Sequence, residues 1–427
     1  MKILIVGLNY APEKIGIAVY THGLAKAMAA AGHQVTIVCA QPYYPAWKLM
    51  PGARQAYQRS VEDGVTVIRC PLYVPARPSS ARRILHHLSF ALSCLFTVLK
   101  AAIGGRPDVV FCIAPSLIAA PCGRLAAFLS GARSWLHVQD FEVEAAFATN
   151  LLSDKGVISR LAMKFESTVL RSFDRASSIS PQMCKHLISK GVPGERVVEF
   201  RNSGDLSKVR PLTEPSPYRA EWDIKTEHVA LYSGNIANKQ GIEILVDAAR
   251  RLVHRQDLTI VVCGEGPNRA ALETRAEGLP NIQFRDLQPR ERINDLVGLA
   301  TVHLLPQLGT AADLLLPSKL INMLASGRPV IATAAPGTGL AQEVEGCGLV
   351  TEPDDVASFA AAIEVILDNP DLRDRYGRAA RACAEERWSE KMIVERLMQE
   401  LHDLVERGRA AKPAEMSALK RIRRAPR

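Results

Sequence analysis

Short apolar runs alternate along the first half of the chain with longer stretches of helical periodicity. The runs are Ile3–Leu8, Val35–Cys39, Val65–Arg69, Val109–Ile113, Ser134–Val138 and Ala176–Ser180, and the helical patterns fall at about 17–31, 82–103, 116–130, 157–172 and 181–189. Strands that alternate with helices are joined by right-handed crossovers into a mostly parallel sheet. The alternation stops at Pro211-Leu-Thr-Glu-Pro215-Ser-Pro217, where three prolines in seven residues suit an interdomain linker. It restarts with strands at about 228–233, 258–263, 281–284, 300–304 and 329–333 and helices at about 240–254, 267–277, 290–298 and 317–326. Three helical segments near 355–368, 371–386 and 389–407 precede a basic tail, Lys420 to Arg427.

The expected class is therefore α/β, with two doubly wound, Rossmann-like domains facing a cleft. The first takes residues 1–205, a linker 206–225, and the second 226–390; a C-terminal helix at 391–411 is placed to pack back on the first domain, and 412–427 form the tail. Open α/β sheets bind ligands at the carboxyl ends of their strands, which makes the cleft the expected site. A length of 427 residues agrees, since single cores stop growing at roughly 250 to 300 residues.

Composition changes this picture little. The 48% hydrophobic and 23% charged residues are those of an ordinary globular protein. The 9 cysteines stand singly, with no CxxC pair, and read as small buried hydrophobes in a reducing compartment. The run Ile3–Leu8 is too short for a signal peptide or a membrane span, so a cytoplasmic location is expected.

Charge adds more. Residues 1–133 hold 14 Lys/Arg against 4 Asp/Glu, a balance of +10, so the remainder sums to −1 of the total +9. The first half is thus expected to face something anionic, nucleic acid or the cytoplasmic leaflet of a membrane. No basic stripe interleaved with aromatics backs nucleic acid. The segment Ile84–Ile103 is apolar nearly all round but interrupted by His86, His87 and Lys100 and preceded by Arg82-Arg83, which fits a buried or an interfacial helix better than a spanning one.

Candidate chemistry sits at strand-to-helix turns. The first strand ends in Gly7-Leu-Asn-Tyr-Ala-Pro-Glu-Lys-Ile-Gly16, and a glycine before a helix lets backbone N–H groups approach an anion. The dinucleotide fingerprint G-x-G-x-x-G is missing. The second domain opens in the same way with Ser233-Gly234-Asn235-Ile-Ala-Asn238-Lys239-Gln-Gly241, a reasonable phosphate clamp through Lys239. Strand Thr259–Cys263 runs into the tight turn Gly264-Glu-Gly266-Pro267. Later, Pro317-Ser318-Lys319 opens a helix where Ser318 can cap and free N–H groups, with Lys319, can hold phosphate. His137 and Asp140, after the strand Ser134–Val138, are candidate proton carriers. No D-x-D and no carboxylate cluster at metal spacing occurs, so no metal or cofactor is expected and lysines and helix ends are left to meet the charge of a diphosphate.

These residues resemble glycosyltransferase family 4, of the GT-B fold. The likeness runs through Tyr232-Ser-Gly-Asn-Ile, Lys239-Gln-Gly-Ile-Glu243, Val261-Val-Cys-Gly-Glu-Gly-Pro267, Asn281 to Leu287 and Leu320 to Val330. Asn9 to Gly16 and Pro317-Ser-Lys319 look like its WcaI-type branch of exopolysaccharide fucosyltransferases of the colanic acid kind. The resemblance ends near residue 405. It implies a hexosyl transfer, retaining, from a nucleotide diphosphate donor such as GDP-fucose to a polyprenyl-diphosphate-linked saccharide, at the inner membrane. It places Gly16 beside the donor diphosphate, Asn235 where an arginine is usual, Lys239 one residue from the usual Lys-Gly pair, and Arg285 to Leu287 against the base. The family's E-x7-E glutamates fall on Asn322 and Leu314, which leaves Asn322 for a ribose hydroxyl and the neighbouring Asp313 for the sugar. A sugar-nucleotide epimerase or hydrolase of the same fold is the alternative.

Overall fold

The computed structural model describes residues 1–14, 16–77, 79–142, 156–202, 206, 208–236, 241–308 and 317–422. The chain forms two compact units, one of residues 1–202 with 394–427 and one of residues 203–393.

Unit 1 contains β1 (Lys2–Gly7), α1 (Ile17–Ala30), β2 (Gln34–Ala40), β3 (Gln58–Glu62), β4 (Val65–Cys70), α2 (Ser80–Gly105), β5 (Val109–Ala114), α3 (Ala120–Ser130), β6 (Arg133–Val138), α4 (Val157–Ser172), β7 (Arg175–Ser178), α5 (Pro181–Ser189) and β8 (Val197–Glu199). The sheet order is β3-β4-β2-β1-β5-β6-β7-β8, parallel except for the β3–β4 pair. Every expected strand is present, and β3 and β8 are additions. Gln58–Glu62 is polar and largely exposed at the sheet edge, so it carries no apolar run to announce it. The apolar strands are buried on both faces, as a parallel sheet covered by helices requires.

Unit 2 contains α6 (Tyr218–Glu221), β9 (His228–Ser233), α7 (Glu243–Arg251), β10 (Leu258–Cys263), α8 (Arg269–Arg275), β11 (Ile282–Arg285), α9 (Ile293–Gly298), β12 (Val302–Leu305), α10 (Lys319–Ala325), β13 (Val330–Thr333), α11 (Gly339–Val344), β14 (Gly348–Thr351), α12 (Val356–Asp368) and α13 (Pro370–Trp388). Its sheet, β11-β10-β9-β12-β13-β14, is parallel throughout. The proline-rich segment packs on this unit: Ser216 Oγ donates to the Asp295 carbonyl at 2.7 Å and the Tyr218 hydroxyl reaches Gln288 at 2.9 Å. The last helix, α14 (Glu390–Ile422), runs from unit 2 into unit 1, where Arg409 bonds Asp108 at 3.1 Å.

Helix α2 has two apolar sides. His86, Phe90, Cys94 and Val98 are buried, whereas Leu92 is 67% and Phe96 84% exposed. The helix is long and apolar enough to cross a membrane by length and composition. Its outer stripe continues in Leu125, Phe128 and Leu129 of α3 and Leu161 of α4, all exposed.

Candidate active site

In each sheet the direction of strand addition reverses between two neighbours, β1 and β5 in unit 1, β9 and β12 in unit 2. Crevices open beside such reversals at the carboxyl ends of the strands.

In unit 2, Gly264 and Gly266 after β10 close onto the loop after β9. A Cβ on Gly264 would fall 1.8 Å from the Gly234 carbonyl oxygen, and one on Gly266 2.1 Å from that of Ile236. The Ile236 N–H donates to Glu265 O at 2.8 Å and Gly264 N–H to Arg285 O at 2.9 Å. These glycines are therefore required for backbone contact between loops. Asn235 is exposed and its carbonyl accepts from the Tyr232 hydroxyl at 2.6 Å. Lys319, the first residue of α10, lies over this loop with Nζ 3.9 Å from the centre of the Tyr232 ring. That nitrogen is enclosed and has no hydrogen-bond partner among the described residues. Burial lowers its pKa to about 7. An ammonium held with no anion beside it is suited to receive one.

Ser318 does not cap α10: its backbone is already helical and its side chain makes no cap bond, so the first N–H groups keep no side-chain acceptor. Asn322 follows one turn on, partly exposed. Arg285 turns its guanidinium to the Trp222 carbonyl at 3.0 Å and to Gln283 at 2.9 Å, and Asp286 and Leu287 beyond it are exposed. Lys239 and Asp313 lie outside the described residues, as does Leu314.

In unit 1, Gly16 is exposed with φ +64° at the start of α1. His137 is corrected from the expectation of a proton carrier. It is 1% exposed, bonds Ser177 Oγ through Nδ1 at 2.9 Å, and stands among Phe111 and Phe200. Burial lowers its pKa to about 3, so it stays neutral, and its Nε2 is enclosed with no hydrogen-bond partner among the described residues. Asp140 is exposed at the carboxyl edge.

The charge at that edge sits on two other acids. Glu13, 4% exposed, accepts the Tyr43 and Tyr44 N–H groups at 2.8 and 2.9 Å and Asn9 Nδ2 at 2.9 Å, tying the loop after β1 to the loop after β2. Glu142 accepts the Ser116 and Leu117 N–H groups at 2.5 and 2.7 Å. Burial raises both pKa values against the pull of those amides. The first turns of α2 bring in two histidines. His86 Nδ1 donates to Tyr73 O at 2.6 Å, which leaves Nε2 as an enclosed acceptor with no partner among the described residues. His87 Nδ1 lies 3.6 Å from Glu142, beyond hydrogen-bond length, with one fifth of each side chain exposed. Both imidazoles are held neutral by burial, each with a pKa of about 4. Trp47 stands against His86 at 5.2 Å, with Arg83 5.4 Å over its ring. Ser116, at φ +95°, has a buried hydroxyl with no partner among the described residues. Enclosed polar groups without partners gather here, which makes this place a candidate binding site. Sequence reasoning passed over it, taking His86 and His87 only as breaks in an apolar helix. A histidine pair at the mouth of such a helix, with acids in the turns after β1 and β6, was the available signal.

Among the described residues no three His, Cys, Asp or Glu side chains gather as a metal site.

Comparison with known proteins agrees with this two-unit arrangement. Residues 16–203 match the model of the glycosyl transferase 4-like domain and residues 227–369 that of glycosyl transferases group 1. The chain is 37% identical over 411 residues, 94% of its length and 100% of the relative's, to a protein of Escherichia coli (strain K12) described as a colanic acid biosynthesis glycosyl transferase, WcaI. Among solved structures, Anabaena Alr3699/HepE in complex with UDP superposes with a TM-score of 0.64 at 16% identity, covering 94% of this chain and 100% of that one. Sucrose-phosphate synthase from Thermosynechococcus elongatus gives 0.66 at 19% identity, covering 94% and 98%. The chain belongs to the GT-B glycosyltransferases, within the WcaI type.

Proposed function

We propose that this glycosyltransferase moves a sugar from a nucleotide diphosphate to a lipid-linked saccharide in exopolysaccharide biosynthesis, working on the inner membrane surface, with GDP-fucose as a candidate donor. The observation that carries the donor half is the enclosed, unpartnered amine of Lys319 over the loop after β9. Charge grows on the nucleoside diphosphate as the C1–O bond breaks, and a fixed cation there acts in the transition state. Lys239 would share the load, with Asn322 at the ribose and Asp313 at the sugar. Retention follows the family resemblance, the acceptor hydroxyl attacking from the face the leaving group vacates. Similarity to a colanic acid glycosyl transferase supports the pathway, and a structural relative bound to UDP-glucose supports the donor class.

On the acceptor side, the cluster of Trp47, His86, His87, Ser116 and Glu142 suits a sugar ring. A hydroxyl lying beside His87 Nδ1 and Glu142 would hydrogen-bond to one or both of them, and an indole face nearby stacks on C–H groups. The basic balance of residues 1–133 and the exposed stripe of α2 and α3 suit an anionic leaflet, where a lipid-linked acceptor stays in the bilayer.

The test is incubation with labelled nucleotide sugars and a lipid extract. Label passing to the lipid fraction is expected. Free sugar alone, or an isomerised nucleotide sugar, would replace this reading with a hydrolase or an epimerase.

A further inference from the structure

A second set of cations without matching anions lies at the other end of α10. The turn Gly327-Arg328-Pro329 leads from that helix into β13, at the amino ends of the strands and so at the edge of the sheet opposite Lys319. It presses on α13: a Cβ on Gly377 would fall 2.5 Å from the Gly327 carbonyl oxygen, and one on Gly327 2.9 Å from Pro211. Turn and helix wall a cavity of about 410 Å³ lined by Arg328, Arg373, Arg378 and Arg381, with Asp374 and Glu385 as its acids.

The partners of these groups do not balance. Arg381 is fully engaged, with Nε on Glu385 at 2.7 Å and Nη1 on the Val209 and Ala325 carbonyls at 2.8 Å each. That uses Glu385. Arg373 gives Nη1 to the Leu367 carbonyl at 3.0 Å. Arg328 keeps an enclosed Nε with no hydrogen-bond partner among the described residues. Burial and the neighbouring Arg373 both lower its pKa, and exposed Asp374 offsets this only in part. A guanidinium does not give up its proton in a protein, so the repulsion stays until an anion enters.

We propose that this groove binds a phosphoryl group of a small molecule, with Arg328 and Arg373 as its ligands and Arg378 at its mouth. Planar forks pair with phosphate oxygens two bonds at a time, which a lone chloride cannot reproduce. A cavity of about 410 Å³ is of a size that takes a small organic molecule. The phosphate is therefore carried on an organic body, and the site is separate from the donor loops.

Thermal melts and calorimetric titration at constant ionic strength test this, with inorganic phosphate and glycerol 3-phosphate as probes. Wild type is expected to gain stability with the logarithm of either probe's concentration, to show saturable binding in the titration and to bind glycerol 3-phosphate more tightly. Arg328→Gln/Arg373→Gln should lose at least tenfold in affinity, and in phosphate-free buffer it should melt at or above wild type, because the repulsion between the two guanidinium groups is gone. A merely structural pair of arginines would give a lower melting temperature instead. Arg378→Gln, at an exposed position, probes the groove if the double variant does not fold, with about a threefold loss expected. Lys319→Met is run beside them and should keep the response. Absence of saturable binding in wild type, affinity unchanged in the arginine variants, or a response lost only in Lys319→Met would each overturn the site.

Discussion

Lys319 Nζ sits 3.9 Å from the centre of the Tyr232 ring and has no hydrogen-bond partner among the described residues. Its pKa of about 7 reports that isolation. A bound diphosphate restores the proton, so binding takes up a proton wherever the free amine is neutral. Affinity for a nucleoside diphosphate should be flat below about pH 7 and fall by up to tenfold per unit above it. Titrations in buffers of different ionisation enthalpy would show the uptake. Lys319→Met should abolish it and lower kcat by roughly a hundredfold, the scale of one preorganised contact to a developing anion. A pH-independent wild type would remove Lys319 from the diphosphate.

His87 Nδ1 and Glu142 lie 3.6 Å apart, beyond hydrogen-bond length. If an acceptor hydroxyl bonds to this pair from the side, His87→Ala should raise the acceptor KM about tenfold, the value of a hydrogen bond in a charged setting, and leave donor hydrolysis unchanged. Equal losses in both reactions would mean a structural role.

Phe96 is 84% and Leu92 67% exposed on α2. Replacing both with Glu should cut sedimentation with anionic vesicles at low salt without lowering the melting temperature. Arg82 and Arg83 changed to Glu should weaken the same binding, which high salt should partly release in wild type. A wild type that ignores such vesicles would remove the membrane from the proposal.

Gly264→Ala would drive a methyl to 1.8 Å from the Gly234 carbonyl oxygen. Overpacking of this kind typically costs ~1–3 kcal/mol, and here it also parts two loops of the proposed donor site. A lowered melting temperature together with loss of nucleotide binding is expected.

His137, neutral in the fold with a pKa of about 3, titrates near 6.5 when unfolded. Between those values the unfolded chain holds the extra proton, so stability falls as pH drops through the window, by about 1.4 kcal/mol per unit. His137→Phe should flatten this acid slope while leaving turnover near neutral pH close to wild type. A steep fall in kcat would return His137 to the site.

The alternation of apolar runs and helical stretches was enough to determine two parallel α/β sheets. A buried strand needs consecutive apolar residues whatever its neighbours are, and the glycine-bearing turns after β1, β9 and β10 were legible for the same local reason. Lys319 was found because it opens a helix at a strand's carboxyl edge. What the sequence could not show is which polar groups face one another. His137 follows the same pattern as a cleft histidine, yet β7 lies beside β6 and Ser177, Phe111 and Phe200 enclose it. Glu142, two residues beyond Asp140, becomes a site acid because its carboxylate meets the amides of Ser116 and Leu117. Arg328 and Arg373 are 45 positions apart and become a pair only where the Gly327 turn closes on Gly377. Burial and charge contact are properties of the assembled sheet and its helices, and they alone decided which of these titratable groups remain available for chemistry.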